Sequence, residues 1–465
     1  MAALKPFEAD SMTVTSIPYL PDPSHLFDRL RQRLSDAVWL DSAGGGAGNR
    51  RYDIISAEPR ITFTCRGSET LIKAKDQPAR VSRENPFNLV QEYVSAGPAV
   101  TDQTLPFTGG AIGYFGYHLN ERLERLRPAP RRYLNLPDMH VGIYDWALIF
   151  DHLQQRGSAL FLPAVAAQFK RGIESIWQQN QSDAGPLNSF KINKIESIFN
   201  KNSYLKKLAS IKKYISDGDV YQVNLAQGFK ASYTGDTFSA YRHLRRLLPS
   251  PYSAYLQYQQ GAILSFSPEL FLQVEDRQVL TQPIKGTRAR DSDTVRDQQI
   301  QNELKESGKD RAENLMIVDL LRNDLGKHCI QGTIQVPRLF ELQSFANVHH
   351  LVSWVTGTLR PGSRPLDLLR DCFPGGSITG APKIRAMEII SELEQLDRSL
   401  YCGSVGYLSY NGKLSTNIAI RTVVADRDTI YAWGGGGIVA ESDPGTEYEE
   451  CLDKINILLE GLRSL

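Results

Sequence analysis

The 465-residue sequence has almost no net charge, because 53 lysine and arginine residues face 52 aspartate and glutamate residues. It contains no basic run interleaved with aromatic residues, which argues against a nucleic-acid partner. No stretch approaches the roughly 18 consecutive apolar residues of a membrane-spanning helix. The first ten residues carry charges without an apolar core, unlike a signal peptide. We therefore expect neither a nucleic-acid nor a membrane partner.

Cysteine is scarce: five residues, an odd number, are scattered without any C-x-x-C pair. This pattern excludes a disulfide framework and a cysteine zinc site, and it favours reduced thiols in a cytoplasmic protein. Otherwise the composition is that of a globular protein, with 41% hydrophobic and 23% charged residues. The length suits one large domain or two to three average ones.

Predicted strands and helices are mixed without strict βαβ alternation, which predicts an α/β (α+β) fold of layered, mostly antiparallel sheets flanked by helices. Asn411-Gly412 between two apolar runs is a strong hairpin signal. The polar stretch from Gln179 to Ser189 is the best linker candidate. We place a boundary there, between a β-rich region 1–185 and a region 186–465 that carries the chemistry.

Lys285 lies in the block Pro283–Arg288, between an apolar strand and a glycine turn. A free lysine has a pKa near 10.4, and burial with nearby cations such as Arg288 would lower it until the amine is nucleophilic. Glu269 precedes the strand that leads to this block, and a hairpin would bring its carboxyl near the amine as an acid/base partner. The alternative is an exposed lysine and an exposed glutamate at strand ends.

Two pairs of acidic residues have helical spacing. Asp310 and Glu313 are three apart at one helix start, and Glu447 and Glu450 are three apart on a final helix that begins near Thr446. Each pair shares one helical face. Brought together, the faces would form a carboxylate cage for Mg²⁺. The alternative is that acids simply favour helix starts because of the helix dipole.

Three further features favour an anionic ligand. The glycine-rich stretch 373–383 opens a helix with accessible backbone N–H groups, and Gly434–Gly437 offers a second concavity lined by backbone. Arg421 is a charge in an apolar strand, and a buried arginine usually has an anionic partner. The set predicts a ligand with more than one carboxylate, although tight turns would also explain the glycines.

Taken together, these stretches resemble the chorismate-utilising enzymes, continuously from about residue 197 to 460 and more weakly from about 15 to 150. The blocks that carry the resemblance are Asp219–Leu225, Ser267–Glu269, Pro283–Arg288, Arg311–Leu320, Arg322–Gly326, Val348–Ser353, Gly380–Lys383 and Gly437–Glu450. The resemblance implies the layered fold of anthranilate synthase component I.

Two positions distinguish activities within this family. Relatives that form isochorismate or salicylate have a water-activating lysine where this chain has Gln222. Anthranilate-forming relatives have alanine at Lys285, whereas lysine there resembles the members that form 4-amino-4-deoxychorismate. The implied activity is conversion of chorismate and ammonia to that product, in the 4-aminobenzoate branch of folate biosynthesis. The alternatives are anthranilate synthesis and a non-catalytic tryptophan-binding subunit.

The resemblance also implies a role for each candidate residue. Lys285 adds to C2 of chorismate while Glu269 protonates the departing C4 hydroxyl; ammonia then adds at C4 and the lysine leaves. Mg²⁺ clamps the ring carboxylate and is bound directly by Glu313 and Glu450 and through water by Asp310 and Glu447. Arg421 and Tyr407 hold the pyruvyl carboxylate. The other implied site residues are His350 at the reacting face, Lys383 as a positive charge, Thr379, Gly380, Gly436 and Gly437 through backbone N–H groups, and Gln222 and Thr333 near the substrate.

Two partners follow from the same resemblance. The chain has no Gly-x-Cys-x-Gly glutaminase block, which implies a separate glutamine amidotransferase subunit as the ammonia source. Relatives bind tryptophan in the N-terminal half, which implies a pocket here near Ser42, Asp53, Ile54, Pro249 and Pro251. The glycine-rich loop from Gly44 to Gly48 departs from the pattern of those relatives.

Overall fold

The computed structural model describes residues 12–43, 51–75, 77–100, 102–126, 133–178, 189–259, 261–345 and 347–465. The predicted boundary at 185/186 and the glycine-rich loop at 44–48 lie outside the described residues. The helices are α1 Ser24–Arg31, α2 Pro86–Ser95, α3 Asn120–Leu123, α4 Ala167–Gln178, α5 Lys201–Ser216, α6 Thr237–Leu247, α7 Thr294–Glu306, α8 Gly308–Gly326, α9 Pro365–Cys372, α10 Lys383–Glu394 and α11 Pro444–Arg463, with 3₁₀ turns at Tyr117–Leu119 and Gly376–Ile378.

The strands are β1 Thr13–Ile17, β2 Val38–Asp41, β3 Tyr52–Ser56, β4 Ile61–Arg66, β5 Glu69–Ala74, β6 Arg80–Ser82, β7 Gly110–Phe115, β8 Met139–Tyr144, β9 Trp146–Asp151, β10 Arg156–Phe161, β11 Phe190–Ile192, β12 Glu196–Ser197, β13 Gln222–Gly235, β14 Tyr252–Tyr258, β15 Gly261–Ser267, β16 Leu270–Glu275, β17 Gln278–Gln282, β18 Ile284–Ala289, β19 Gln335–Ser344, β20 Val348–Thr358, β21 Gly380–Ala381, β22 Ser404–Ser409, β23 Leu414–Asn417, β24 Thr422–Asp426 and β25 Thr429–Ile438.

These strands form two sheets, and the pairings among the described strands are antiparallel. The first sheet runs β1-β10-β9-β3-β2-β14-β15-β24-β25-β13-β11, with β12 and β21 also on β13. The second runs β18-β20-β17-β16-β23-β22-β7-β8-β4-β5-β6, with β19 on β20. Both sheets combine strands from the two predicted regions, and the predicted architecture of mostly antiparallel layers is confirmed.

Alternating side chains divide the apolar core between two layers. Val38 and Ile54 belong to the larger cluster between the two sheets, whereas their neighbours Trp39 and Ile55 face the opposite side of the first sheet. This alternation is expected because successive side chains of a strand point to opposite faces. Helices α1, α4, α6 and α11 cover that outer face.

Local signals account for several element boundaries. The hairpin predicted at Asn411-Gly412 is confirmed: it joins β22 to β23, and Gly412 has φ +83°, which glycine adopts without steric cost. The predicted cap of the last helix is wrong by one turn. Helix α11 begins at Pro444, and Asp443 Oδ1 accepts from the Thr446 backbone N–H at 2.9 Å. Aspartate is the stronger N-cap, and proline suits the first helical position. No helix within the described ranges is long and apolar enough to cross a membrane.

Candidate active site

A break in strand register aims Lys285 away from its own sheet. Strand β18 pairs with β20 at Ile284 and again at Thr287, with a shift between them. Gly286 within that shift has φ +84°, and a Cβ there would meet Asp310 of α8 at 3.0 Å. A bulge of this kind re-aims one side chain, and glycine lets α8 approach. The half-buried Lys285 then donates from Nζ to the Ser377 backbone carbonyl at 2.8 Å.

Glu269 is buried on the other side of Ser377. The Ser377 hydroxyl donates to Glu269 Oε1 at 2.7 Å, and the carboxyl is only 4% exposed. Burial raises the pKa of Glu269, although the neighbouring Lys285 charge opposes that rise. Burial likewise lowers the pKa of Lys285 against the pull of Glu313 and Glu269. Both shifts favour uncharged forms, an amine able to attack and a carboxylic acid able to donate a proton.

His350 closes this side of the site from β20. Its Nδ1 lies 2.8 Å from Thr287 Oγ1, and the ring is 2% exposed. Burial, then the charges of Arg421 and His349, lower the pKa of His350 to about 3. The imidazole therefore remains neutral across the physiological range and acts as a hydrogen-bonding group rather than as a cation.

The four predicted carboxylates approach one another from α8 and α11, but cations lie among them. Lys309 contacts Glu447 at 3.1 Å, Lys454 contacts Glu450 at 2.8 Å, and Arg288 contacts Asp310 at 2.8 Å. Burial raises the pKa of Glu313, and Asp310 and Glu447 are among the charges that act on it. Burial alone would raise the pKa of Glu450, but Lys454 holds it below its usual range.

The donor set suits Mg²⁺, which takes one or two carboxylates and keeps several waters. In the described part of the chain, no group of three or more His, Cys, Asp or Glu is already arranged to hold an ion. The amines of Lys309 and Lys454 would have to move aside from Glu447 and Glu450 for an ion to bind.

A glycine run on β25 brings β13 and α11 close to each other. Gly437 pairs with Asn224, and a Cβ at Gly437 would lie 2.5 Å from Gln222 Nε2. A Cβ at Gly436 would lie 3.4 Å from Glu447 Oε2. Gln222 is completely buried, and both of its side-chain polar atoms lack a hydrogen-bond partner among the described residues. Such atoms are costly unless something else satisfies them, which makes Gln222 a candidate for contact with a ligand.

Arg421 is half-buried and close enough to His350 for its charge to lower the pKa of that ring. Burial lowers its own pKa, and within the described residues no acidic group opposes that effect. It has φ +50°, an uncommon conformation for a side chain of this size. Gly380 has φ +149°, and a Cβ there would clash with the Gln222 carbonyl, so only glycine fits. Thr379 is fully buried, and its hydroxyl donates to the Gly375 carbonyl at 2.9 Å.

Three predicted site residues are placed elsewhere. Lys383 Nζ pairs with Asp324 and donates to the Cys372 carbonyl, which ties α10 to α8 and α9. The Thr333 hydroxyl donates to the Ile330 carbonyl of its own turn at 2.7 Å and accepts from the Thr358 N–H of β20 at 3.1 Å. Thr358 is eight residues from His350 on β20, roughly 26 Å along an extended strand. Tyr407 lines a separate cavity between the sheets.

That second cavity, of about 280 Å³, lies between β2, β3 and β14 of the first sheet and β16, β22 and β23 of the second. Two residues of the predicted tryptophan pocket, Ile54 and Pro251, line it. Asp53 and Ser42 form a buried hydrogen-bonded pair at 2.8 Å instead, with His152 at 3.3 Å from Asp53. Pro249 is half-buried and is not among the residues that line the cavity.

Sequence reasoning missed two residues that the structure brings to the candidate site. Ser377 contacts both Lys285 and Glu269, and Lys454 pairs with Glu450 and lies 3.4 Å from the Gly435 carbonyl. Lys454 had a detectable signal, because it stands four residues after Glu450 on one helical face. Ser377 had none, since only the tertiary fold brings it near its partners.

Comparison with known proteins matches residues 37–460 to the family model of chorismate binding enzymes. Aminodeoxychorismate synthase component 1 of Salmonella typhimurium is 43% identical and covers 98% of this chain and 99% of its own. Anthranilate synthase component 1 of Acetivibrio thermocellus is 34% identical, over 95% and 92%. The crystal structure of anthranilate synthase component I from Streptococcus pneumoniae superposes with a TM-score of 0.79 at 28% identity, over 89% and 93%. The fold predicted from the resemblance is confirmed.

Proposed function

The chain belongs to the chorismate-binding enzyme family, and on that premise we propose that it converts chorismate and ammonia to 4-amino-4-deoxychorismate and water. The Salmonella typhimurium relative that supports this assignment carries the name aminodeoxychorismate synthase component 1. The observation that carries the proposal within this chain is the Lys285–Ser377–Glu269 arrangement, in which burial shifts both pKa values toward uncharged forms.

In the proposed reaction Lys285 is the nucleophile and Glu269 is the general acid. The neutral Lys285 amine forms a bond to C2 of the ring, the double bonds shift, and the C4–O bond breaks as Glu269 gives its proton to the leaving hydroxyl. Ammonia then forms a bond to C4, the double bonds return, and the C2–N bond to Lys285 breaks. Lys285 leaves with the electron pair of the C2–N bond, as a neutral amine, and the new ammonium group on C4 gives one proton back to Glu269.

The remaining groups bind and orient the two carboxylates of the substrate. Arg421, a cation without an acidic partner in the described chain, takes the pyruvyl carboxylate with backbone N–H groups near Gly380 and Gly437. Glu313 and Glu450 directly, and Asp310 and Glu447 through water, would hold Mg²⁺, which supplies positive charge beside the ring carboxylate when it is bound. Gln222 offers the amide that satisfies a polar group of the substrate.

Ammonia comes from a separate glutamine amidotransferase subunit, since the sequence has no glutaminase cysteine block. The relative's name, component 1, is consistent with a second component. With ammonium as the nitrogen donor the purified chain should work alone; with glutamine it should work only beside an amidotransferase. Turnover of glutamine by the chain alone, as efficient as that of ammonium, would contradict this part of the proposal.

The deciding experiment is incubation with chorismate, Mg²⁺ and saturating ammonium, with the product identified by mass spectrometry and fluorescence. We expect 4-amino-4-deoxychorismate, which retains the pyruvyl group. Fluorescent anthranilate would establish anthranilate synthesis instead. Absence of any turnover would favour the non-catalytic tryptophan-binding alternative.

A further inference from the structure

Ser377 touches both side chains assigned to the chemistry, through different parts of the residue. Its hydroxyl donates to Glu269 Oε1 at 2.7 Å, and its backbone carbonyl accepts from Lys285 Nζ at 2.8 Å. We infer that Ser377 is a positioning residue that separates the nucleophile from the general acid and determines which oxygen of Glu269 carries the proton. This inference deepens the proposed function and rests on it.

Separation matters because a lysine and a glutamate in direct contact favour the ion pair. In that state the amine is protonated and cannot attack, while the carboxylate is ionised and cannot donate. Here the amine of Lys285 bonds to an uncharged carbonyl, which stabilises the ammonium form less than a carboxylate would and can also accept a hydrogen bond from the neutral amine. Ser377 therefore permits Lys285 and Glu269 to be close while both remain uncharged.

The hydroxyl contact also orients the acid. A carboxylic acid has a single O–H, and an oxygen that already accepts a hydrogen bond from Ser377 is the poorer place for that proton. The Ser377 hydroxyl therefore favours the proton of Glu269 on Oε2, and the Ile284 backbone N–H is the other donor to this carboxyl. A general acid works only when its O–H points at the leaving group, so this selection bears directly on the rate of C–O cleavage.

The backbone of Ser377 is held rigidly enough for this role. The Thr379 hydroxyl donates to the Gly375 carbonyl at 2.9 Å, and the side chains of Ile418 and Leu320 pack against Gly375 and Gly376. Behind the turn, Arg398 donates to the Ile378 carbonyl at 3.3 Å. Ser377 itself is 5% exposed, which leaves its hydroxyl few alternatives to Glu269.

The first test compares Ser377→Ala with Ser377→Thr, which retains the hydroxyl. We expect Ser377→Ala to lower kcat about 2–10-fold, the range for a lost hydrogen bond between uncharged groups, with little change in KM for chorismate. The Ser377 donor favours ionised Glu269, so its removal raises that pKa and moves the alkaline limb of the pH–rate profile upward. Ser377→Thr should restore both. Ser56→Ala, which removes a buried hydroxyl bonded to the Trp146 carbonyl, is the matched control and should leave the profile unchanged.

The second test does not depend on turnover. Glutamate labelled with ¹³C at the carboxyl is titrated by NMR, with the Glu269 signal assigned by its loss in Glu269→Gln. The pKa of Glu269 should be higher in Ser377→Ala than in the wild type. An unchanged titration and an unchanged pH profile in an active enzyme would overturn the role of Ser377. If the wild type forms no 4-amino-4-deoxychorismate but the titration shifts, the proposed function fails and the Ser377–Glu269 coupling stands.

Discussion

Arg398 donates to the Ile378 carbonyl behind the turn that contains Ser377, whereas the half-buried Arg421 is close enough to His350, in front of the turn, for its charge to lower the pKa of that ring. The two regions accommodate a cation in opposite ways. Arg398 is 1% exposed, donates to both carboxyl oxygens of Glu394 at 2.7 and 2.6 Å, and stacks on Tyr117 at 4.7 Å. Arg421 has no acidic partner within the described residues, and burial lowers its pKa.

This difference distinguishes residues that stabilise the fold, around Arg398, from residues available to a ligand, around Arg421 and Gln222. Arg398 also donates to the carbonyls of Asn224 and Ile378, so each of its three guanidinium nitrogens has a hydrogen-bond partner within the protein. Around Arg421 and the fully buried Gln222, polar atoms are left for a ligand to satisfy. A buried charge without a partner is expensive, so its presence is best explained by a ligand that supplies one. We therefore predict that substitutions at Arg398, behind the turn, lower stability, whereas substitutions at Lys285 and Arg421, in front of it, lower activity.

The largest effect is expected in front of the turn, at Lys285. Lys285→Ala removes the nucleophile and should lower the rate with chorismate and saturating ammonium by about 10²–10⁴-fold, the contribution typical of a positioned catalytic side chain. Lys285→Arg should be equally impaired, because guanidinium stays protonated. Mass spectrometry of the wild type should detect a chorismate adduct on this lysine. Wild-type rates in both variants would refute the assignment.

Both activity and stability should depend on pH through the protonation of Lys285. Its pKa is lowered in the folded protein, so the active neutral amine persists to lower pH than a free lysine would allow, and kcat/KM should fall as pH decreases through that lowered value. The cost of burying the charged amine is complete below the folded pKa and vanishes above about 10.4, its unfolded value. Lys285→Met should therefore raise the melting temperature at pH 7 and lose this advantage at alkaline pH.

Behind the turn, Arg398→Met should destabilise the fold by about 3–5 kcal/mol, because Glu394 would be left as an uncompensated buried charge. Denaturant unfolding measures this loss. Arg385→Met is the control, since its ion pair with Asp219 is exposed and worth at most about 1 kcal/mol. Equal effects of the two substitutions would remove the distinction between the regions.

The contrasting substitution is Arg421→Met. It should leave the free energy of unfolding unchanged or higher, because a buried charge without a partner disappears. Chorismate binding should weaken by about 1.5–3 kcal/mol, the value of a hydrogen bond to a charged group, or roughly 10–150-fold in KM. Steady-state kinetics and thermal melts on one preparation give both quantities. A large loss of stability with unchanged KM would place Arg421 in the scaffold.

Glu450→Gln removes one negative charge from the four predicted Mg²⁺-binding carboxylates and nearly preserves the shape of the side chain. We expect Mg²⁺ and chorismate to bind more weakly together, by roughly tenfold or more, because loss of even an outer-sphere metal contact costs about that much. The measurement is the rate as a function of Mg²⁺ concentration. Glu449→Gln, an exposed neighbour paired with Lys201, is the control. An unchanged Mg²⁺ dependence in Glu450→Gln would rule out direct ligation.

The smallest effect is expected in the cavity between the sheets, far from both arginines. If tryptophan binds there, a concentration of ten times its Kd should stabilise the protein by about 1.4 kcal/mol without altering the site around Lys285. Ile54→Trp should fill the cavity and abolish the heat of binding in calorimetry. Absence of binding to protein confirmed free of tryptophan would count against this pocket.

Much of the fold and site was accessible from the sequence where the signal was local. The antiparallel layers, the hairpin at Gly412 and the acidic faces of α8 and α11 follow from alternation, turn chemistry and helical spacing. The predictions for Lys383 and Tyr407 rested on the family resemblance alone. The structure instead pairs Lys383 with Asp324 and turns Tyr407 toward the second cavity. A strand residue shifted by one position faces the opposite side of its sheet, so the sequence pattern did not determine which cavity Tyr407 enters.

The sequence by itself determined the chemical inventory of this protein: a lysine after an apolar strand, a glutamate before it, two acidic helix faces and glycines that admit close backbone approach. Each depends on residue type and short-range spacing. The tertiary structure decided which of these groups meet. Ser377 lies 92 residues from Lys285 and 108 from Glu269, yet contacts both. Burial, which sets the charge state of Lys285 and Glu269, arises only when distant strands and helices pack together and exclude water.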